Sequence, residues 1–380
     1  MMGVQWLGKA EGLFPYPEPP QALIDETLGR PGVYAAADGA QVVAARHVAW
    51  NAALLDAFKA AATQLPARLC VVRNTMTEHT AALGTAALTD DGAARVYDLF
   101  LVDRPLTDVT DEEATLADLR QRAHPVRVTL PVDEMTVRTP GYGAAPYRFP
   151  FPLARAWVAH VTRWPHLLWL LQGAPYALCG GQNVVGQNVR IHSTALVEGS
   201  VLEDGVEVEA HATVVGSYIG RGARLADHSA IHHSVIGPGC STLADTFLRR
   251  VVALPGSTIS NLDLCEVLLG RGVFITAGVI FFTGAKGVTV RVGQGPDDEQ
   301  DTGRSELGGA VGHACVLGTR AIFVPGRALP GGTVIVMRHE EGVLTMPTGL
   351  APGTLTAWDN AALVKVSERW PGYRAPEVDE

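Results

Sequence analysis

Residues 223–239 read ARLADHSAIHHSVIGPG and carry three histidines, His228, His232 and His233, among small and aliphatic residues. Imidazole is the side chain that most readily exchanges a proton near neutral pH, and it is also a common metal ligand. His211 lies seventeen residues before His228, and Asp245 lies seventeen after it. A carboxylate beside an imidazole orients the ring and raises its basicity, which is what a general base needs. A metal site would draw instead on His192, His228 and His233, the last two spaced as HxxxxH. Which chemistry is open to these residues depends on the elements that bring them together.

Those elements repeat. From Val185 onward aliphatic residues recur at steps of six, six and five: Val185, Ile191, Val197, Leu202, Val208, Val214, Ile219, Leu225, Ile231 and Ile236. The fourth residue after each is small or valine, as at Ala195, Val201, Ala212, Ala223 and Val235, with Tyr218 the one large exception. Neither a period of 3.6 nor a period of 2 accounts for this. A three-sided coil does. Each side takes about one hexapeptide, the aliphatic points inward, the small residue sits at the corner, and stacked coils bury one apolar column. The step resumes at Leu269, Ile275 and Phe281, and again at Val311, Leu317, Phe323, Leu329 and Ile335.

This pattern, over about 184–337, resembles the hexapeptide-repeat, left-handed β-helix superfamily. The resemblance implies an acyltransferase that uses acyl-CoA, assembled as a homotrimer, with its acceptor site in a cleft between subunits. A histidine there would take the proton from the acceptor hydroxyl or amine as it attacks the thioester. With a coil of seventeen residues, Thr194, His211, His228 and Asp245 share one outer column. His211 or His228 is therefore the candidate base and Asp245 the residue that orients it. The superfamily also holds γ-class carbonic anhydrase-like metal proteins and non-catalytic members. The metal proteins place two histidines two and seven residues after an inward aliphatic. Counted from Leu225, those places hold Asp227 and His232, so HxxxxH is out of register and no metal is expected.

Three features interrupt the rod. Thr242 stands where an aliphatic is due, 248–265 keeps only fragments of the step, and GQGPDDEQDTGRSELGG (293–309) is polar and acidic. That last stretch reads as a loop near the acceptor or as a solvated excursion, since its acidity would repel CoA phosphates.

Residues 1–150 read as a mixed α/β domain. Strands are expected at 40–45, 67–73 and 126–138, a helix at 51–64 with Asn51 as its cap, and a hairpin over 84–103. The order resembles sugar-phosphate nucleotidyltransferases fused to a hexapeptide domain, in degenerate form. The glycine-rich loop that holds the nucleotide phosphates is missing, and Ala45, Arg46 and His47 stand where that family has a metal-binding Asp. A helical linker (151–183) follows. Leu153, Trp157, Val161, Trp164 and Leu168 fall on one face of a helix over Pro152–Leu171 that Pro165 should kink or split. It reads as a helix packed between domains rather than one lying on a membrane. The rod spans 184–340, and a tail over 341–380 would cap its open end.

Apolar residues make up 47% and charged residues 18%, so the chain is globular, and a net charge of −9 without a basic run argues against nucleic acid. The stretch around Trp157–Leu171 is too short and too polar to span a bilayer. With no basic-then-apolar leader and five cysteines lacking a CxxC pair, the expected setting is the cytoplasm. The expected function is transfer of an acyl group from acyl-CoA to a sugar or nucleotide-sugar. The alternative is a non-catalytic trimer that binds a nucleotide-sugar or serves as a scaffold.

Overall fold

The computed structural model describes residues 4–8, 15–29, 41–63, 65–72, 94–103, 106, 109–128, 132–134, 152–154, 157–260, 263–284, 287–293, 298–335, 356–359 and 362–365. The first part is mixed α/β. Its five-stranded sheet runs in the order Gln5–Leu7, Gln41–Ala45, Arg95–Val102, Ala67–Val72, His124–Val128, with parallel pairs at both edges and antiparallel pairs inside. Helices Ala52–Ala61 and Glu112–Arg122 pack with this sheet around Trp50, Phe58, Tyr97, Leu99 and Phe100. Asn51 caps the first helix as expected, accepting from the Leu54 N–H at 3.1 Å. It also accepts from the Trp157 N–H at 3.1 Å, tying the linker down. Of the expected 84–103 hairpin, the second arm is the strand Arg95–Val102; residues 84–93 lie outside the described ones.

The single helix expected over Pro152–Leu171 is not formed. Pro152–Ala154 and Val158–His160 are strands, the latter antiparallel to Val48–Trp50. The helix runs only from Trp164 to Gln172. The reason is Pro165: proline has no N–H to donate and fits the first helical turn, so it starts the helix rather than kinking it. Pro175 does the same for Ala174–Cys179, which Gly180 ends in the left-handed conformation. Trp164–Gln172 is buried on every side, between helix Pro20–Thr27 and the second part of the chain. Among the described residues no helix is long and apolar enough to cross a membrane.

The second part, 184–335, is a parallel β-solenoid of about eight coils with three faces. On the first face Val184 pairs with Val201, Val201 with Tyr218 and Tyr218 with Val235, each seventeen residues on. The inward column of Leu202, Ile219, Leu225, Ile231 and Ile236 is fully buried, as the step required. Val201, Tyr218 and Val235, however, are not corner residues. They face outward on the first face, with Val252 and Leu268, beneath the two helices. That covering explains why a tyrosine fits at 218.

The apparent interruptions have physical causes. The 248–265 stretch is a complete coil that is one residue short, with Leu248 on Leu264 and Val252 on Leu268, sixteen apart. Thr242 does point inward, and its hydroxyl is satisfied by the Ala226 N–H at 3.0 Å and Ser229 Oγ at 2.9 Å. The remaining corner carries a serine ladder. Ser200 and Ser217 accept from the N–H of Ser217 and Ser234 at 3.1 Å, and Ser234 from that of Val251 at 3.0 Å.

The acidic stretch belongs to a longer excursion between Phe281 and Gly309, whose described residues pack on the linker helix while Gln300, Asp301, Ser305 and Glu306 stay exposed. Strands Arg291–Val292 and Gln300–Asp301 form a hairpin. Asp298 accepts two bonds from the Arg163 guanidinium at 2.8 and 3.0 Å, and Arg304 lies 3.9 Å over the Trp169 ring. Val290, Val292 and Leu307 join the core of the Trp164–Gln172 helix. Beyond the rod, Thr356–Asp359 and Ala362–Lys365 form a two-stranded hairpin.

Candidate functional site

The coils turn three corners, and at most of the described ones the backbone reaches the left-handed region. At one corner that conformation falls on His211, His228 and Asp245, with φ of 58°, 58° and 59°. The column expected from the count is therefore real. All three side chains are exposed. The imidazoles of His211 and His228 stack, with ring centroids 5.0 Å apart and planes 16° from parallel. Backbone bonds hold the column: the His211 N–H donates to Thr194 Oγ1, the His228 N–H to the Ala210 carbonyl and the Asp245 N–H to the Asp227 carbonyl, at 2.9, 2.9 and 3.1 Å. The stacked rings leave imidazole nitrogens within reach of a molecule lying along this edge.

The other histidines are placed apart from the column. His192 Nδ1 accepts from the Thr194 N–H at 3.2 Å. His232 lies on the third face, half-buried and edge-on to Phe247 at 5.5 Å. Burial, helped by Arg249, lowers its pKa. His313 Nδ1 accepts from the Arg271 N–H at 2.9 Å, which leaves Nε2 to donate to Glu18 at 3.0 Å. Beside it, the buried Tyr16 hydroxyl donates to the Val311 carbonyl at 2.9 Å and the Leu268 carbonyl at 3.2 Å. These two bonds join the strands on either side of the excursion. No three His, Cys, Asp or Glu residues stand close enough to hold a metal among the described residues.

A second set of residues was not visible as a site in the sequence. At another corner the left-handed position is held in turn by Gly199, Gly216, His233, Arg250 and Glu266. The last three are tucked against the helices above. The Tyr176 hydroxyl hydrogen-bonds His233 Nδ1 and its ring stacks on the imidazole. A side chain at Gly216 would strike both rings. Arg250 pairs with Glu266 and, at 2.9 Å, with Glu306. Gln172 donates to Glu266 at 3.0 Å and to the Arg250 carbonyl at 2.8 Å. The seventeen-residue recurrence at 199, 216, 233 and 250 was the available signal. These buried groups hold the linker helices to the rod.

Burial, with smaller effects of His232 and Arg250, pushes the His233 pKa from 6.5 down to about 4. The unfolded chain then binds one proton more than the folded chain between those values, so stability falls as pH falls from 6.5 to about 4. At 1.36 kcal/mol per unit the loss is about 3 kcal/mol. Thermal unfolding at pH 7 and pH 4.5 checks this. His233→Asn, which tolerates the left-handed backbone, should flatten the dependence; an equal acid loss in that variant would assign it to other groups.

No protein-family model matches the chain, and no curated protein matches it. Among solved structures, it is similar to a crystal structure of the polysialic acid O-acetyltransferase OatWY, at 17% identity over 48% of this chain and 87% of that one, with a TM-score of 0.14. A score that low carries no argument about activity.

Proposed function

We propose that this chain is an acyltransferase that moves an acyl group from acyl-CoA to a hydroxyl or amine of a sugar or nucleotide-sugar. The observation that carries the reading is the exposed, stacked pair His211 and His228 on the edge of a parallel β-solenoid. A neutral imidazole of the pair takes the acceptor proton as the acceptor oxygen or nitrogen attacks the thioester carbonyl. The tetrahedral oxyanion is stabilised by backbone N–H groups, then collapses and expels the CoA thiolate, which recovers the proton from the imidazolium. Asp245, next in the column, stabilises that imidazolium. A homotrimer would close the site, because a rod edge alone gives acyl-CoA only one wall.

One observation favours a second reading, a non-catalytic binding or scaffolding trimer. Histidine and aspartate are among the residues that tolerate the left-handed backbone, so φ near 58° accounts for the column without catalysis. Titration with acetyl-CoA, CoA and a panel of nucleotide-sugars, followed by a thiol-release assay, separates the two. Acyl-transfer predicts saturable CoA binding and thiol release that depends on an acceptor. Nucleotide-sugar binding without CoA binding, or no binding at all, would favour the scaffold. Sedimentation should show a trimer at micromolar concentration; a monomer would count against any site built between subunits.

A further inference from the structure

The excursion and the last coil border an open groove of about 410 Å³. Phe282, Gly284, Val288, Thr289, Val290, Arg291 and Glu299 come from the excursion side, and Val324, Pro325 and Arg327 from the coil. Gly326 sets the approach of the two walls: a Cβ there would lie 2.2 Å from the Arg291 carbonyl oxygen, so only glycine lets the coil close on the hairpin. The volume is in the range of small-molecule sites, which combine an apolar lining with few polar groups.

The lining has two parts. Phe282, Val288 and Val324 are large apolar side chains left exposed, a state that marks a binding surface when they cluster. At the rim stand two guanidiniums and a single carboxylate. Arg327 donates to Glu299 Oε1 at 2.7 Å, while Arg291 reaches Glu299 Oε2 at 3.3 Å and the Glu299 carbonyl at 3.2 Å. The neighbouring acids are engaged elsewhere, Asp298 with Arg163, and Asp301 with the Thr289 hydroxyl and the Gly303 N–H. The Gly303 N–H and the Thr289 hydroxyl hold the Asp301 carboxyl below its usual range, and Arg291 adds to this from across the hairpin. Among the described lining residues two guanidiniums face one carboxylate, and Asp301 stands opposite Arg291 across the hairpin. Each guanidinium has five N–H donors, most of which Glu299 leaves unused.

We propose that this groove binds a small amphipathic monoanion, an aliphatic or aromatic body bearing one carboxylate. The apolar body would lie on Phe282, Val288 and Val324, and the carboxylate would take bidentate bonds from Arg291 and Arg327. The site is separate from the histidine column and needs no acyl transfer.

Calorimetric titration of the full chain with octanoate, and with octan-1-ol as the uncharged counterpart, tests this. One saturable octanoate site per chain is expected, with octan-1-ol weaker by roughly tenfold or more. Arg327→Gln and Arg291→Gln should each weaken octanoate by a similar factor. Val324→Asn, at a position 54% exposed, should do so by removing apolar contact without adding a charge beside either arginine. Failure of octanoate to saturate, equal binding of octan-1-ol, or unchanged affinity in Val324→Asn would overturn the proposal.

Discussion

Replacing His228 by asparagine is expected to lower acceptor-dependent CoA release by about 10²–10⁴-fold, the usual loss when a general base is removed. Asparagine is the informative choice because position 228 has φ of 58°, which asparagine tolerates. Alanine there would add about 1–2 kcal/mol of backbone strain and confuse lost chemistry with lost coil. The stacked partner makes the comparison sharper. If His228 is the base, His211→Asn should reduce the rate less, since its ring only supports the neighbour from 5.0 Å away. If the ranking reverses, His211 is the base. Asp245→Asn keeps the left-handed corner and removes the charge, so a loss there measures how much the carboxylate stabilises the imidazolium. Unchanged thiol release in the double variant His211→Asn/His228→Asn would sink the acyl-transfer reading as built on this column. Unfolding temperatures close to the parent in all of these variants would show that the rod is intact.

The solenoid was legible because one physical requirement repeats. Every coil must place an apolar side chain on the axis, so Leu202, Ile219 and Ile236 announce the architecture whatever surrounds them. The column of His211, His228 and Asp245 follows from the same count. What the count could not show is what each corner's backbone requires. Left-handed φ values at 211, 228 and 245 give a second reason for those residue types, and only coordinates reveal it. The short coil at 248–265 was misread for a related reason. A coil one residue short still pairs Leu248 with Leu264 and Val252 with Leu268 but breaks the step in the sequence.

The covered face escaped because it depends on distant residues. Val201, Tyr218 and Val235 read as corner residues, with Tyr218 the large exception, until the two linker helices are set on them. The first of these, Trp164–Gln172, was itself expected to begin too early, since a helical spacing of apolar residues from Leu153 to Val161 also suits two short strands. The excursion was read from its acidity alone. Its position is decided by Arg163 and Trp169, which lie more than a hundred residues earlier.

The largest stability effect is expected where those long-range contacts converge. Arg250→Ala should destabilise the protein by about 3–5 kcal/mol, because it leaves Glu266 buried with Gln172 as its remaining side-chain donor. Both members of the pair sit in the left-handed conformation, at φ of 52° and 55°. Two coils earlier the same corner is held by Gly216, and before that by Gly199. The rod can therefore turn this corner without any charged side chain. It follows that Arg250→Gly/Glu266→Gly, which removes both charges and supplies the residue the backbone prefers, should recover at least half of the single variant's loss. Glu306, the second carboxylate on Arg250, is half-exposed and can return to water at little cost. The double-mutant cycle by urea unfolding is closed with the single variants Arg250→Gly and Glu266→Gly, so that the backbone relief glycine brings at φ of 52° and 55° cancels. A double variant as unstable as Arg250→Ala would mean that packing of the arginine stem against the linker helices, and not the stranded carboxylate, supplies the stability. Strong coupling with recovery would mean that the pair offsets its own burial. Its contribution would then be to fix where Gln172, and with it the Trp164–Gln172 helix, seats on the rod.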